Sequence, residues 1–325
     1  MLTGHNAQQN LLLKTLESGN IPHAWLFAGM QGIGKATLAW QFAAALLDTA
    51  PEEEGGGLFG DALPKPAPTL AYAEDASPLR LMRQNAHPDF RLITPNVLDN
   101  KQDIPIEAVR DLQQFLRNTP AMAQRKVVLL DSVDKLAFQG ANALLKVLEE
   151  PNGNTILILI SHNPAKLLPT IRSRCRLLRF QPLSLQDFQG IFPDDNSAAL
   201  YAATGGSVGK ARQLASENLL PLLNACQDVL KNMPNAPLSL CYSVINLLEK
   251  QKDQMAAATQ LLKNQLEGWI DARLKAKMTE NNPQALQHYF ALQTKINSLF
   301  ADMQQLKLEP KHVFLHIFLT LKTVS

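Results

Sequence analysis

Cysteine is nearly missing from this sequence. Only Cys175, Cys226 and Cys241 occur among 325 residues, so the first 174 positions have none. No two of them have CxxC spacing, which argues against a disulfide framework or a thiolate zinc site. Long apolar runs are missing too: nothing approaches the roughly 20 residues that a membrane-spanning helix needs. The opening MLTGHNAQQN has neither the basic start nor the apolar centre of a secretory leader. These absences point to a cytoplasmic protein with no membrane partner. An excess of one charge is also lacking, since the formal net charge is +2. Contact with nucleic acid would therefore need a local patch or a partner.

What is present is a regular alternation. The apolar fraction of 46% suits a globular chain of two or three domains. AWLFA (24–28), DFRLI (89–93), KVVLLD (126–131), TILILIS (155–161) and RLLRF (176–180) read as strands. Amphipathic helical patterns lie between them, over 35–47, 105–118 and 140–151. Pro105 falls at an expected first helical position. Continuous apolar strands separated by helices imply a parallel sheet covered on both faces, hence a doubly wound α/β domain. Residues 50–78 break the rhythm with Gly, Pro and acidic residues and read as a solvated insertion. From about 182 the pattern turns helical, and Pro234, Pro237, Pro283 and Pro310 mark breaks. The stretch 253–277 reads as one long helix or two. This predicts an α/β domain over 1–181, a small helical domain over 182–217 and an all-α domain over 218–325.

GMQGIGK (29–35) is a phosphate-loop candidate. It follows a strand and opens a helix, so its backbone N–H groups and the helix dipole would converge on an anion completed by Lys35. Gly29, Gly32, Gly34 and Lys35 carry the pattern. Asp131, after four apolar residues, is the acidic strand end that usually faces the metal. The rest of a hydrolytic site is missing. Ala36 stands where a hydroxyl should hold magnesium, and Thr37 is turned about 100° further round the helix. Ser132 replaces the usual glutamate after Asp131, and a hydroxyl cannot act as a general base near neutral pH unaided. Losing that base alone typically costs about 10²–10⁴-fold in rate. Asp134 could substitute only with unusual geometry, and Asp131 reads as a strand-end remnant or a cap.

GMQGIGK, VVLLDSVDKL, NALLKVLEEP and TIRSRCRLLRF, in this order and spacing, resemble the clamp-loader subunits of the AAA+ superfamily over roughly the first 215 residues. The resemblance implies an α/β P-loop AAA+ domain, a helical lid and an all-α C-terminal collar domain. It also gives the departures a pattern: where relatives place an arginine that senses the γ-phosphate, GGSVGKARQL puts Gly209, with Lys210 and Arg212 as imperfect substitutes. Gly209 thus joins Ala36 and Ser132 as a lost position. Relatives carry a four-cysteine zinc module before a His-Pro-Asp segment. Here HPDF (87–90) is present, but no cysteine or histidine lies between the loop helix and His87, so zinc is not expected.

In that family the arginine of SRC, here Arg174, reaches into a neighbour's nucleotide site. A permanently charged guanidinium suits phosphate oxygens, and such a trans arginine is worth about 10³–10⁵ in rate in other NTPases. Arg172, Arg176 and Arg179 read instead as surface or interface residues. Cys175 reads as a small packed residue, and Lys146 as a solvated lysine with a weaker case for a DNA phosphate. The expectation is a structural wedge that does not hydrolyse ATP, requires no cofactor and offers Arg174 in trans. It would belong to a hetero-pentamer with gamma/tau-type ATPase subunits and a delta subunit, acting on a sliding clamp and primed DNA. Three alternatives stay open: ATP or ADP binding without turnover, an ATP-hydrolysing loader or other AAA+ subunit, and a free nucleotide-binding switch.

Overall fold

The computed structural model describes residues 3–48, 68–95, 103–151, 154–193, 197–280 and 283–322. The chain divides into two compact units. One is Met1–Asp194 with Gly206–Gly209, the other Asp195–Gly205 with Lys210–Ser325.

In the first unit the elements run α1 (Asn6–Ser18), β1 (Ala24–Ala28), α2 (Lys35–Leu47), α3 (Ser77–Arg83), β2 (Phe90–Ile93), α4 (Ile106–Arg117), β3 (Lys126–Leu130), α5 (Phe138–Glu149), β4 (Thr155–Ser161), α6 (Pro169–Ser173), β5 (Arg176–Arg179) and α7 (Leu185–Ile191). The strands form one sheet of order β2-β3-β4-β1-β5, and every pairing is parallel. β1, β3 and β4 are buried at every position, whereas the edge strands β2 and β5 expose part of theirs. That is why the three inner strands are continuous apolar runs.

Side-chain alternation along each strand feeds two cores. Trp25, Phe27, Val127, Leu129, Ile156 and Ile158 pack with Leu38 and Phe42 of α2 and Met82 of α3. Leu26, Val128, Leu130, Leu157 and Leu159 pack instead with Leu112 of α4, Leu144 and Leu148 of α5, and Ile171 of α6. Helices therefore cover both faces, and the loops at the C-terminal ends of the strands are left to build a site.

Several boundaries differ from the sequence expectation. Pro105 is the residue before α4, not its first helical position: its ψ of 145° is extended. β2 begins at Phe90, one residue later than expected, although the Asp89 carbonyl still accepts the Val127 N–H of β3. The buried Asp89 carboxylate accepts the backbone N–H groups of Ala121, Met122 and Ala123, each at 2.7 Å. The described end of the insertion is mostly exposed, as expected, yet it is anchored: Leu70 is buried, and Gln41 of α2 exchanges two hydrogen bonds with the backbone of Tyr72. The part of it over 50–67 lies outside the described residues.

The second unit is helical: α8 (Ser197–Thr204), α9 (Val208–Ser216, whose first two residues belong to the first unit), α10 (Leu220–Lys231), α11 (Leu238–Glu249), α12 (Met255–Thr279), α13 (Pro283–Gln305) and α14 (Pro310–Lys322). α12 is one helix of 25 residues, which resolves the one-or-two alternative. Its core gathers Cys226 and Val229 of α10, Val244 and Leu248 of α11, Leu262 and Leu266 of α12, and Phe314 and Phe318 of α14. Phe300 of α13 meets Phe314 edge-on at 5.7 Å. Exposed apolar side chains remain at Leu238 and Tyr242 of α11, Phe290 of α13 and Leu319 of α14. Among the described residues, no helix is long and apolar enough to cross a membrane.

Candidate functional site

The glycine loop sits at the C-terminal end of β1, tied to β4 by the Gly29 N–H donating to Ser161 O. Gly32 and Gly34 adopt φ of 78° and 106°, values that only glycine takes readily, and the loop then enters α2 at Lys35. Lys35 is 2% exposed. Its ammonium donates to Gly29 O at 2.7 Å and Met30 O at 2.6 Å. A third contact, at 3.0 Å, is to Nδ1 of His162, just past β4. An ammonium has only donors, so Nδ1 accepts and the imidazole proton sits on Nε2. Nε2 in turn is 3.7 Å from Asp131 Oδ1.

The next three carbonyls of the loop are also occupied. Gln31 O accepts from Ser207 Oγ at 2.9 Å, and Gly32 O from the Gly209 N–H at 2.7 Å. Ile33 O accepts from His5 Nε2 at 2.6 Å, with the His5 ring set edge-on to Phe180. Five consecutive carbonyls, 29 to 33, are thus bonded to groups of the same chain. Gly209 lies so near the loop that a Cβ there would stand 2.8 Å from Gly32 Cα. A side chain does not fit there without moving backbone.

Burial lowers the Lys35 pKa to about 8, although Asp131 and Asp134 pull it upward. Burial also lowers that of His162, assisted by the Lys35 charge and opposed by both aspartates. Asp134 Oδ1 accepts the His162 N–H at 2.7 Å. Ser132 turns left-handed at φ 58° and places Oγ 3.3 Å from Asp131 Oδ1. Ala36 packs against the core and Thr37 is exposed. The residues present do not fit magnesium triphosphate in the usual way: no hydroxyl follows Lys35, and no carboxylate follows Asp131.

Arg174 belongs to a different corner. It directly follows α6, whose Ile171 is fully buried, and its guanidinium bonds Glu149 Oε1 at 2.8 Å and Thr170 O at 3.0 Å. Arg172, Arg176 and Arg179 are exposed, while Cys175 packs against the second core, its thiol pushed up to about 12 by burial. Lys146 is exposed on α5 beside a cleft of about 280 Å³ that also contains Arg117 and Glu150. Lys210 and Arg212 are exposed on α9.

The sheet brings Lys35 and Asp131 into one electrostatic cluster and leaves Arg174 outside it. Sequence reasoning missed His162, His5, Ser207 and Glu149. A signal for His162 existed: a polar residue directly after a central parallel strand lies where such folds bind ligands.

A parallel sheet of this order, with a glycine loop and lysine after β1 and an aspartate after β3, defines a P-loop domain of the AAA+ class. Residues 4–184 match the family described as DNA polymerase III, delta subunit, and the chain belongs to that family. Among curated proteins it is 36% identical over 205 residues to the DNA polymerase III subunit delta' of Pseudomonas aeruginosa, covering 61% of this chain and 57% of that one. It is 32% identical over 173 residues to the subunit delta' of Bacillus subtilis, covering 53% and 46%. The alignments thus span about half the length of these relatives. Among solved structures, a DNA polymerase III gamma subunit-related protein from Thermotoga maritima overlaps 97% of this chain and 99% of its own, with a TM-score of 0.45 and 17% identity.

Proposed function

We propose that this chain is a delta-prime-type clamp-loader subunit that does not hydrolyse ATP. It serves as a wedge in loading a sliding clamp on primed DNA and lends Arg174 to the nucleotide site of a neighbouring gamma/tau-type ATPase subunit. The observation that carries the reading is the engagement of Lys35. All three of its contacts are internal, two to loop carbonyls and one to His162. A triphosphate would have to displace them, and would then find no magnesium hydroxyl at Ala36 and no base at Ser132. Arg174 is also bonded within the chain, to Glu149 and Thr170, but it is half-buried rather than buried and stands apart from that cluster. The loop carbonyls are bonded within the chain, so the proposed mechanism requires no bound nucleotide.

The exposed apolar side chains of α11, α13 and α14 fit burial against other subunits, here a delta subunit and ATPase subunits in a hetero-pentamer. The test is ATP turnover of the assembled loader, stimulated by clamp and primed DNA. Arg174→Ala is expected to lower kcat by about 10³-fold, the scale of a lost trans arginine. Unchanged turnover in a complex that still assembles refutes the assignment.

A further inference from the structure

We infer that Glu149 is the positioning residue for Arg174, holding the guanidinium in the orientation it presents to a neighbouring subunit. The inference rests on the proposed trans role of Arg174 and extends it to a second residue. Three observations carry it. First, the ion pair is short, 2.8 Å between Arg174 Nη2 and Glu149 Oε1, as expected of a charge-assisted bond. Second, Nη1 of the same guanidinium donates to Thr170 O at 3.0 Å, so the planar group is held at two points and its plane is set. Third, both ends are rooted in the core. Glu149 follows Leu148 at the end of α5, Arg174 comes three residues after Ile171 of α6, and Leu148 and Ile171 pack in one buried cluster.

The pair itself is exposed to solvent, at 36% for Arg174 and 49% for Glu149. Exposed pairs contribute little to stability, so thermal stability is not where Glu149 acts. A flexible arginine, in contrast, would have to be ordered each time it met a phosphate. Fixing it beforehand removes that entropic cost from the reacting state. Glu149 touches no reacting atom and therefore acts only through Arg174.

The test uses the assembled loader with clamp and primed DNA. Glu149→Ala is expected to lower kcat for ATP about tenfold, with KM unchanged, a misplacement smaller than the loss on Arg174→Ala. Glu149→Gln, which keeps the shape and one hydrogen bond from the guanidinium to a now neutral oxygen, is expected to lose about threefold. In the Arg174→Ala background, Glu149→Ala is expected to add nothing. If Arg174→Ala lowers turnover while both Glu149 variants match or exceed the parent complex, the positioning role is wrong and the trans arginine stands. A further loss in the double variant also overturns it. If Arg174→Ala itself has no effect, the proposed function fails first. Should Glu149→Ala fail to assemble, the isosteric Gln variant alone decides, and a parental kcat contradicts the inference.

Discussion

Lys35 Nζ and His162 Nδ1 lie 3.0 Å apart, joining the first residue of α2 to the loop after β4 where a nucleotide phosphate would be expected. The contact requires a neutral imidazole protonated on Nε2. A second proton on His162 would set two cations against each other in a partly desolvated pocket.

Stability should therefore depend on pH in a defined sense. Both groups are bases whose pKa is lowered in the folded chain, so the unfolded chain binds their protons more tightly and stability rises with pH. For His162 the loss begins as pH falls through about 6.5, the unperturbed histidine value. For Lys35 the gain comes as pH rises from about 8 toward 10.5. Denaturant unfolding from pH 5 to 10 should show His162→Gln removing the acid-side loss and Lys35→Met removing the alkaline gain. Parallel curves for all three proteins would contradict this.

Gly209 should not tolerate even a methyl group. The atom facing its absent Cβ is backbone, Gly32 Cα at 2.8 Å, and cannot swing aside. Gly209→Ala is expected to destabilise by about 1–3 kcal/mol and to speed amide exchange at its N–H. Gly190 in α7 has nothing within 4 Å of its Cβ position. There Gly→Ala should be neutral or stabilise by up to about 1 kcal/mol. Equal effects at both sites, read by urea unfolding, would refute the close approach.

Asp89 is the anchor of the turn over 121–123. Burial raises its pKa, but the N–H groups of Ala123, Ala121 and Met122 outweigh that and hold it below the usual value. Its contribution is present above the ordinary aspartate pKa and is lost as pH falls through the lowered one. Asp89→Ala leaves three N–H groups without their acceptor and should cost about 3 kcal/mol. Chemical denaturation at pH 7 measures it, and a cost below the error of the method would dismiss the anchor.

The inner strands were legible because a sheet buried on both faces writes itself as unbroken apolar runs: AWLFA and TILILIS are β1 and β4 to the residue. The start of α4 was less so, since proline's fixed φ suits both the residue before a helix and its first turn. The described end of the insertion gave no periodic signal because Leu70 and Tyr72 dock singly. In the candidate site, Gly29, Gly32, Gly34, Lys35 and Asp131 stood out as a local motif. His162 and Ser207 did not: they lie 127 and 176 residues from the loop residues they bond, a proximity that the tertiary fold creates and spacing cannot report. Glu149 was hidden within a stretch whose regularity drew notice to its apolar face.

The central claim is that this chain does not split ATP by itself. Phosphate release by the purified chain, with saturating ATP and magnesium, tests it most directly. The account predicts a rate indistinguishable from buffer and from Lys35→Ala at every protein concentration. Release that scales with the amount of protein and vanishes on Lys35→Ala would contradict it.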